Sequence, residues 1–157
     1  MPLNLPESYY VWRLMAIDPG LNFTGIATYD VDYKTENILS IEATTLCNDR
    51  LLDHTGFDEE YIAERTIKLY KLKQAFQSIL LQARPSMVVC EAPFYNRFRP
   101  TAYSSLLEVV NVFHAGVLEL NPNISFATLP PLSVKKFIGA KTVKNNTEKG
   151  KFEVKTA

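Results

Sequence analysis

The order of apolar runs and breakers predicts an α/β fold: a mixed five-stranded sheet, made of a three-strand antiparallel meander plus βαβ units, with helices on both faces. Three observations carry this. Three short apolar runs separated by turn residues occupy the chain up to Leu46. Two long stretches after residue 57 repeat apolar residues every three or four positions, as an amphipathic helix does. Between them lies Met87-Val-Val-Cys90, a short continuous apolar run of the kind found in parallel central strands.

Residues 1–10 hold two prolines and polar residues, and read as an extended lead-in. Strand one is expected from Val11 to Ile17, ending at Asp18. Pro19 and Gly20 turn the chain, and strand two follows from Thr24 to Val31. Asn37 to Leu46 is the third strand of the meander. Residues 48–57 read as a polar loop. Asp58 is placed to cap a long helix, with Glu59 and Glu60 at its positive end. Ile62, Leu69, Leu72, Phe76, Ile79, Leu80 and Ala83 make its apolar stripe, and Arg84-Pro85 ends it.

Ser86 to Cys90 forms the fourth strand, ending in Glu91. Ala92 to Pro100 is a loop with Phe94, Tyr95, Phe98, Arg97 and Arg99. Thr101 caps a second helix, whose stripe is Leu106, Val109, Val110, Phe113 and Val117. Ile124 to Thr128 is the fifth strand, and Leu132 to Ile138 a short helix. Residues 139–150 form a lysine-bearing loop, and 151–157 read as the first turns of an unfinished helix.

The chain of 157 residues is read as a single domain, with 46% apolar and 22% charged residues, as in soluble globular proteins. No apolar run approaches the roughly 18 residues that span a membrane. The N-terminus lacks the pattern of a signal peptide, so a cytoplasmic location and no membrane partner are expected. Cys47 and Cys90 have no metal or redox spacing; Cys90 is expected in the core, and no disulfide is expected. The zero net charge hides an asymmetry. Residues 1–83 carry 7 Lys/Arg against 12 Asp/Glu, whereas 84–157 carry 10 against 5. A basic half can face a polyanion, although solvated surface lysines explain the charge equally well.

Asp18 and Glu91 both end apolar strands. If the strands are neighbours, the strand ends lie about 5 Å apart. Like charges that close repel unless one is protonated or a divalent cation lies between them. Hard oxygen ligands with room for water and phosphate suit Mg²⁺, and the chemistry implied is metal-assisted phosphodiester hydrolysis. Turn hydrogen bonding by ordinary surface acids is the competing explanation. His54 and His114 lie far from both acids in sequence and show no ligand spacing. His54 is expected to be exposed, and His114 packed or facing a partner.

Ile17-Asp18-Pro19-Gly20 followed by Thr24-Gly25 resembles the opening of the RuvC-type Holliday junction resolvases, members of the RNase H-like superfamily. Val88-Val89-Cys90-Glu91 followed by Phe94 resembles the family's second acidic strand and its base-contacting aromatic. Val134-Lys135 with Gly139, and then Glu148-Lys149, resemble its lysine-bearing region. The resemblance covers roughly residues 12–157. It implies an RNase H-like fold and a Mg²⁺-dependent endonuclease for branched DNA, with Mn²⁺ able to substitute, in a bacterial or phage-infected cell.

On the matching positions, the resemblance makes Asp18 and Glu91 metal ligands and catalytic residues, with Lys149 a catalytic lysine near the scissile strand. Phe94 would stack at the junction centre, helped by Tyr95 and Phe98. Arg97, Arg99, Lys135, Lys136, Lys141 and Lys144 would meet DNA phosphates. The 101–120 helix would join two subunits in a homodimer. The family's two further acids, in an Asp-x-x-Asp pattern on a final helix, have no counterpart before Ala157, so the printed chain is expected to cleave little or not at all. Two other readings stay open: a non-cleaving nucleic-acid-binding or RNA-processing protein of the same fold, and an actin-like or sugar-kinase-type phosphate-binding domain.

Overall fold

Val11–Asp18 is β1, and its alternation decides the layering. Met15 and Ile17 point to one face and are buried, while Leu14, Ala16 and Asp18 point to the other. The computed structural model describes residues 11–53, 56–58 and 60–133. β2, Phe23–Asp32, turns back antiparallel on β1 and pairs Asp18 with Gly25. β3, Ile38–Cys47, completes the meander, with a bulge between Asp30 and Val31. β4, Met87–Glu91, and β5, Ser125–Leu129, add in parallel on the other side of β1. The sheet order is β3-β2-β1-β4-β5. The mixed five-stranded sheet is the one expected, with strand limits one residue from those read in the sequence.

Two helices cover one face. α1 spans Glu64–Ala83 and α2 spans Pro100–Leu120. Their stripes meet the sheet in one core of Met15, Ile17, Ile26, Leu72, Phe76, Leu80, Val88, Cys90, Val109, Phe113 and Val117. Phe76 and Phe113 meet edge-on, with ring centroids 4.7 Å apart. Gly116 lets the helices approach, since a β-carbon there would already touch Phe76 at 3.4 Å. Salt bridges Arg65–Glu108 (2.6 Å) and Lys73–Glu119 (2.9 Å) tie the helices outside the core. Arg13 ties the sheet to α1: it donates to both Asp30 oxygens (2.7 and 2.9 Å) and to the Ala83 carbonyl (2.9 Å).

Two caps differ from expectation. Asp58 does not start α1. Its carboxylate accepts the Glu60 N–H at 2.9 Å and its carbonyl accepts from Tyr61 and Ile62, closing a separate turn. The helix begins six residues later, at Glu64, after Ala63 and without a side-chain cap. A short aspartate competes for the backbone locally, and here the turn wins over the helix. Thr101 is likewise inside α2, because Pro100 takes the first helical position, where its missing N–H costs nothing. Arg84 ends α1 in the left-handed region, φ 49°, with its N–H donating to the Leu80 carbonyl, and Pro85 follows.

The opposite face is open among the described residues. Across it runs a row paired strand to strand, Ala43-Ala27-Ala16-Val89-Ala127. The small side chains make a flat apolar floor whose one acidic end holds Asp18 and Glu91. Residues 131–133 are helical. The short helix expected to 138 runs past the described residues, and the lysine loop and final helix lie wholly outside them. No described helix is long and apolar enough to cross a membrane.

Candidate carboxylate site

Asp18 is the last residue of β1, and Glu91 the last of β4. The two strands are parallel neighbours, paired Ile17 to Cys90. One step further along that register sets Asp18 beside Glu91, with neighbouring strands about 4.8 Å apart. Both side chains leave the open face, because Ala16 and Val89, two residues earlier, share one row. They border a groove of about 600 Å³ with Gly25, Thr45 and Leu129. Asp18 is exposed and Glu91 half-buried.

The pairing explains the neighbours of Asp18. Gly25 stands opposite it, and a β-carbon there would lie 3.5 Å from the Asp18 β-carbon. The glycine therefore leaves the space beside the carboxylate free. Among the described residues the Asp18 carboxylate has no hydrogen bond or ion pair. Next to both acids sits Cys90, fully buried. Burial pushes its thiol up to about 12, and the Glu91 and Asp18 carboxylates add to the effect. A thiol so placed stays protonated and unreactive at neutral pH. Cys90 is the small core residue expected, and Cys47 is also a free thiol.

The loop between Asp18 and β2 is held from inside. The Thr24 hydroxyl, fully buried, donates to the Gly20 carbonyl (2.7 Å) and accepts the Gly20 N–H (3.2 Å). Gly20 admits no side chain, since a β-carbon would sit 2.3 Å from the Phe23 carbonyl oxygen. Asn48, in the 3-10 turn Asn48–Arg50 after β3, donates from Nδ2 to the Leu21 and Lys68 carbonyls. In the sequence Asn48 reads only as the start of a polar loop. Its partners stand 27 and 20 residues away, so no local pattern marks it.

Beyond Glu91 the chain is pinned by the Ala92 N–H to the Leu129 carbonyl at 2.8 Å. The aromatic loop that follows is exposed: Phe94 49%, Tyr95 68% and Phe98 78%. Tyr95 meets Tyr103 of α2 edge-on at 6.3 Å. The Arg97 guanidinium lies 4.7 Å from the Phe98 ring centre, a cation–π contact that keeps its charge available. Arg97 and Arg99 are exposed and enter no ion pair among the described residues. Lys135, Lys136, Lys141, Lys144 and Lys149 lie outside the described residues, as does His54. His114 is exposed and stacks on Phe126 of β5, with ring centres 4.7 Å apart.

Two carboxylates in a groove fit a hard divalent cation that keeps water and takes phosphate oxygens as its other ligands. Among the described residues no set of three or more His, Cys, Asp or Glu could hold a metal.

The sheet order and the paired acidic strand ends can be compared with solved structures. RuvC of Thermus thermophilus, in complex with a Holliday junction substrate, superposes with TM-score 0.55 at 14% identity, over 82% of this chain and 71% of that one. A second Thermus thermophilus RuvC structure gives 0.55 at 18% identity, over 81% and 69%. The yeast mitochondrial Holliday junction resolvase Ydc2 gives 0.56 at 13% identity, over 82% and 54%. The chain has the RuvC-like RNase H fold. No family model matches the sequence, and no curated protein matches it. At these identities the likeness to RuvC is one of fold, and the chemistry has to be argued from the residues.

Proposed function

We propose that this chain is a divalent-metal-dependent nuclease domain that acts on four-way or otherwise branched DNA. The observation that carries the reading is the placement of Asp18 and Glu91 at adjacent parallel strand ends, on an open face, beside an exposed aromatic-arginine loop. The RuvC-like fold supports it, because two of the similar proteins are described as junction-bound or as a junction resolvase.

Asp18 and Glu91 would hold Mg²⁺ or Mn²⁺, which when bound would activate water and neutralise charge on the phosphate. Phe94, three residues beyond Glu91, would stack on an unpaired base, with Tyr95 and Phe98 beside it. Such stacking is worth about 1–3 kcal/mol per base. Arg97 and Arg99 would take phosphates, and with Lys135, Lys136, Lys141 and Lys144 would make the affinity strongly salt-dependent. Lys149 would lie near the scissile strand. A homodimer joined along α2 would present two such sites to a symmetric junction.

Labelled four-way junctions and matched duplexes are incubated with the protein in Mg²⁺ or Mn²⁺, beside Asp18→Asn and Glu91→Gln. Preferred junction binding is expected, and the nicking this chain shows, expected to be weak, should depend on metal and fall at least about a hundredfold in either variant. Junction binding without nicking in any metal would favour the non-cleaving reading. Equal affinity for duplex and junction would overturn the proposal.

A further inference from the structure

Asn48 is 1% exposed, one of two polar residues buried so completely among the described residues, and lies outside the carboxylate pair. A carboxamide removed from water must place its donors. Nδ2 donates to the Leu21 carbonyl at 3.0 Å and to the Lys68 carbonyl at 2.9 Å. Only the amide nitrogen can serve two carbonyls, which settles how the side chain is turned. The Asn48 backbone N–H donates to the Asn22 carbonyl at 2.9 Å. Oδ1 takes no hydrogen bond from the described protein, so the side chain stands there for its two donors.

These bonds converge on one short segment. The Gly20 carbonyl is held by Thr24, the Leu21 carbonyl by the Asn48 side chain and the Asn22 carbonyl by the Asn48 backbone. Lys68 belongs to α1, so Asn48 fastens the loop to the helix layer as well as to the end of β3. The loop begins one residue after Asp18, whose carboxylate has no partner among the described residues. The backbone that carries that carboxylate is set by the pairing of β1 with β2 on one side and β4 on the other, and by this loop beyond its end.

We propose that Asn48 is a positioning residue for Asp18, clamping loop 19–22 against α1 so that the Asp18 and Glu91 carboxylates keep one spacing for a divalent cation. The inference rests on the cation-site reading of Asp18 and Glu91. Alanine at 48 would release the Leu21 and Lys68 carbonyls together. A serine keeps one shorter donor and is the milder variant.

The 157-residue chain is titrated with Mn²⁺, bound metal being read by water-proton relaxation, beside Asn48→Ala, Asn48→Ser and Val117→Ala. Val117 is a fully buried α2 residue away from the loop and serves as a stability control. Amide hydrogen exchange over residues 20–23 is followed without metal. Mn²⁺ affinity is expected to fall about tenfold or more in Asn48→Ala, as for other residues that orient metal ligands. Asn48→Ser should fall between, and exchange at 20–23 should quicken in both. Val117→Ala should lower the melting temperature and leave Mn²⁺ affinity within about twofold. If Asn48→Ala does not fold, Asn48→Ser decides by the same two readouts. Wild-type Mn²⁺ binding that both Asn48 variants retain in full overturns the clamp alone. Absence of Mn²⁺ binding by the wild type, with Asp18→Asn as reference, overturns the cation site and the clamp with it.

Discussion

At Gly20 the constraint is contact, with a carbonyl oxygen 2.3 Å from where a β-carbon would lie. Gly20→Ala must push the Phe23 backbone away and should cost about 1–3 kcal/mol, the range for forced overpacking, read by chemical denaturation. Asp30 offers a test through pH. Its carboxylate accepts from Arg13 and from Ser40, and the Arg13 hydrogen bond is the largest reason it titrates below the ordinary 3.8. An acid with a lowered folded-state value stabilises the fold while ionised, and loses that contribution as pH falls through the folded value. Asp30→Asn should therefore cost about 1 kcal/mol at pH 7, a modest figure because the Arg13 side chain is 44% exposed. The difference between variant and wild type should shrink below pH 3.8. A difference of unchanged size at pH 3 would mean that the ion pair is not its source.

Among the elements, the helix pair carries the deepest packing. Phe113 is fully buried and edge-on to Phe76, so Phe113→Ala should lower stability by about 3–5 kcal/mol in denaturant unfolding. A loss below about 1 kcal/mol would mean that the aromatic pair is not the centre of the core. The stripe holding Phe113 was legible in the sequence, since Val109, Val110 and Val117 repeat with it at helical spacing. The strands were legible for a like reason: Met87 to Cys90 is too short and too apolar for anything but a buried strand between helices. Helix starts were less legible. Asp58 has the right chemistry for a cap, yet its own turn satisfies it first, and Pro100 outranks Thr101 by geometry. The carboxylates could be picked out as strand ends, but their adjacency depends on β1 pairing with β4, some 70 residues on, which no local pattern specifies. Asn48 was illegible for the same reason.

For the whole molecule, the decisive surface is the side of α2 turned from α1. Tyr103, Leu107, His114 and Leu118 fall on one stripe at spacings of four, seven and four, beside the edge strand β5, where His114 stacks on Phe126. Leu107 is 40% exposed and Leu118 51% exposed. Arg65–Glu108 and Lys73–Glu119 hold the other side of α2 to α1, so this stripe is the one left for a partner. A helix of 21 residues is about 30 Å long, enough to anchor a stable dimer interface of about 800 Å² per partner. The proposed dimer across α2 therefore makes a direct prediction. Sedimentation equilibrium should find the wild type dimeric, and Leu107→Asp with Leu118→Asp monomeric with unchanged circular dichroism, because neither leucine belongs to the buried core. If the proposed activity needs two coupled sites, the monomer should still bind a junction yet lose paired nicking, leaving single nicks in its place. A wild type that stays monomeric at high concentration would remove the dimer and leave the carboxylate site to be judged alone.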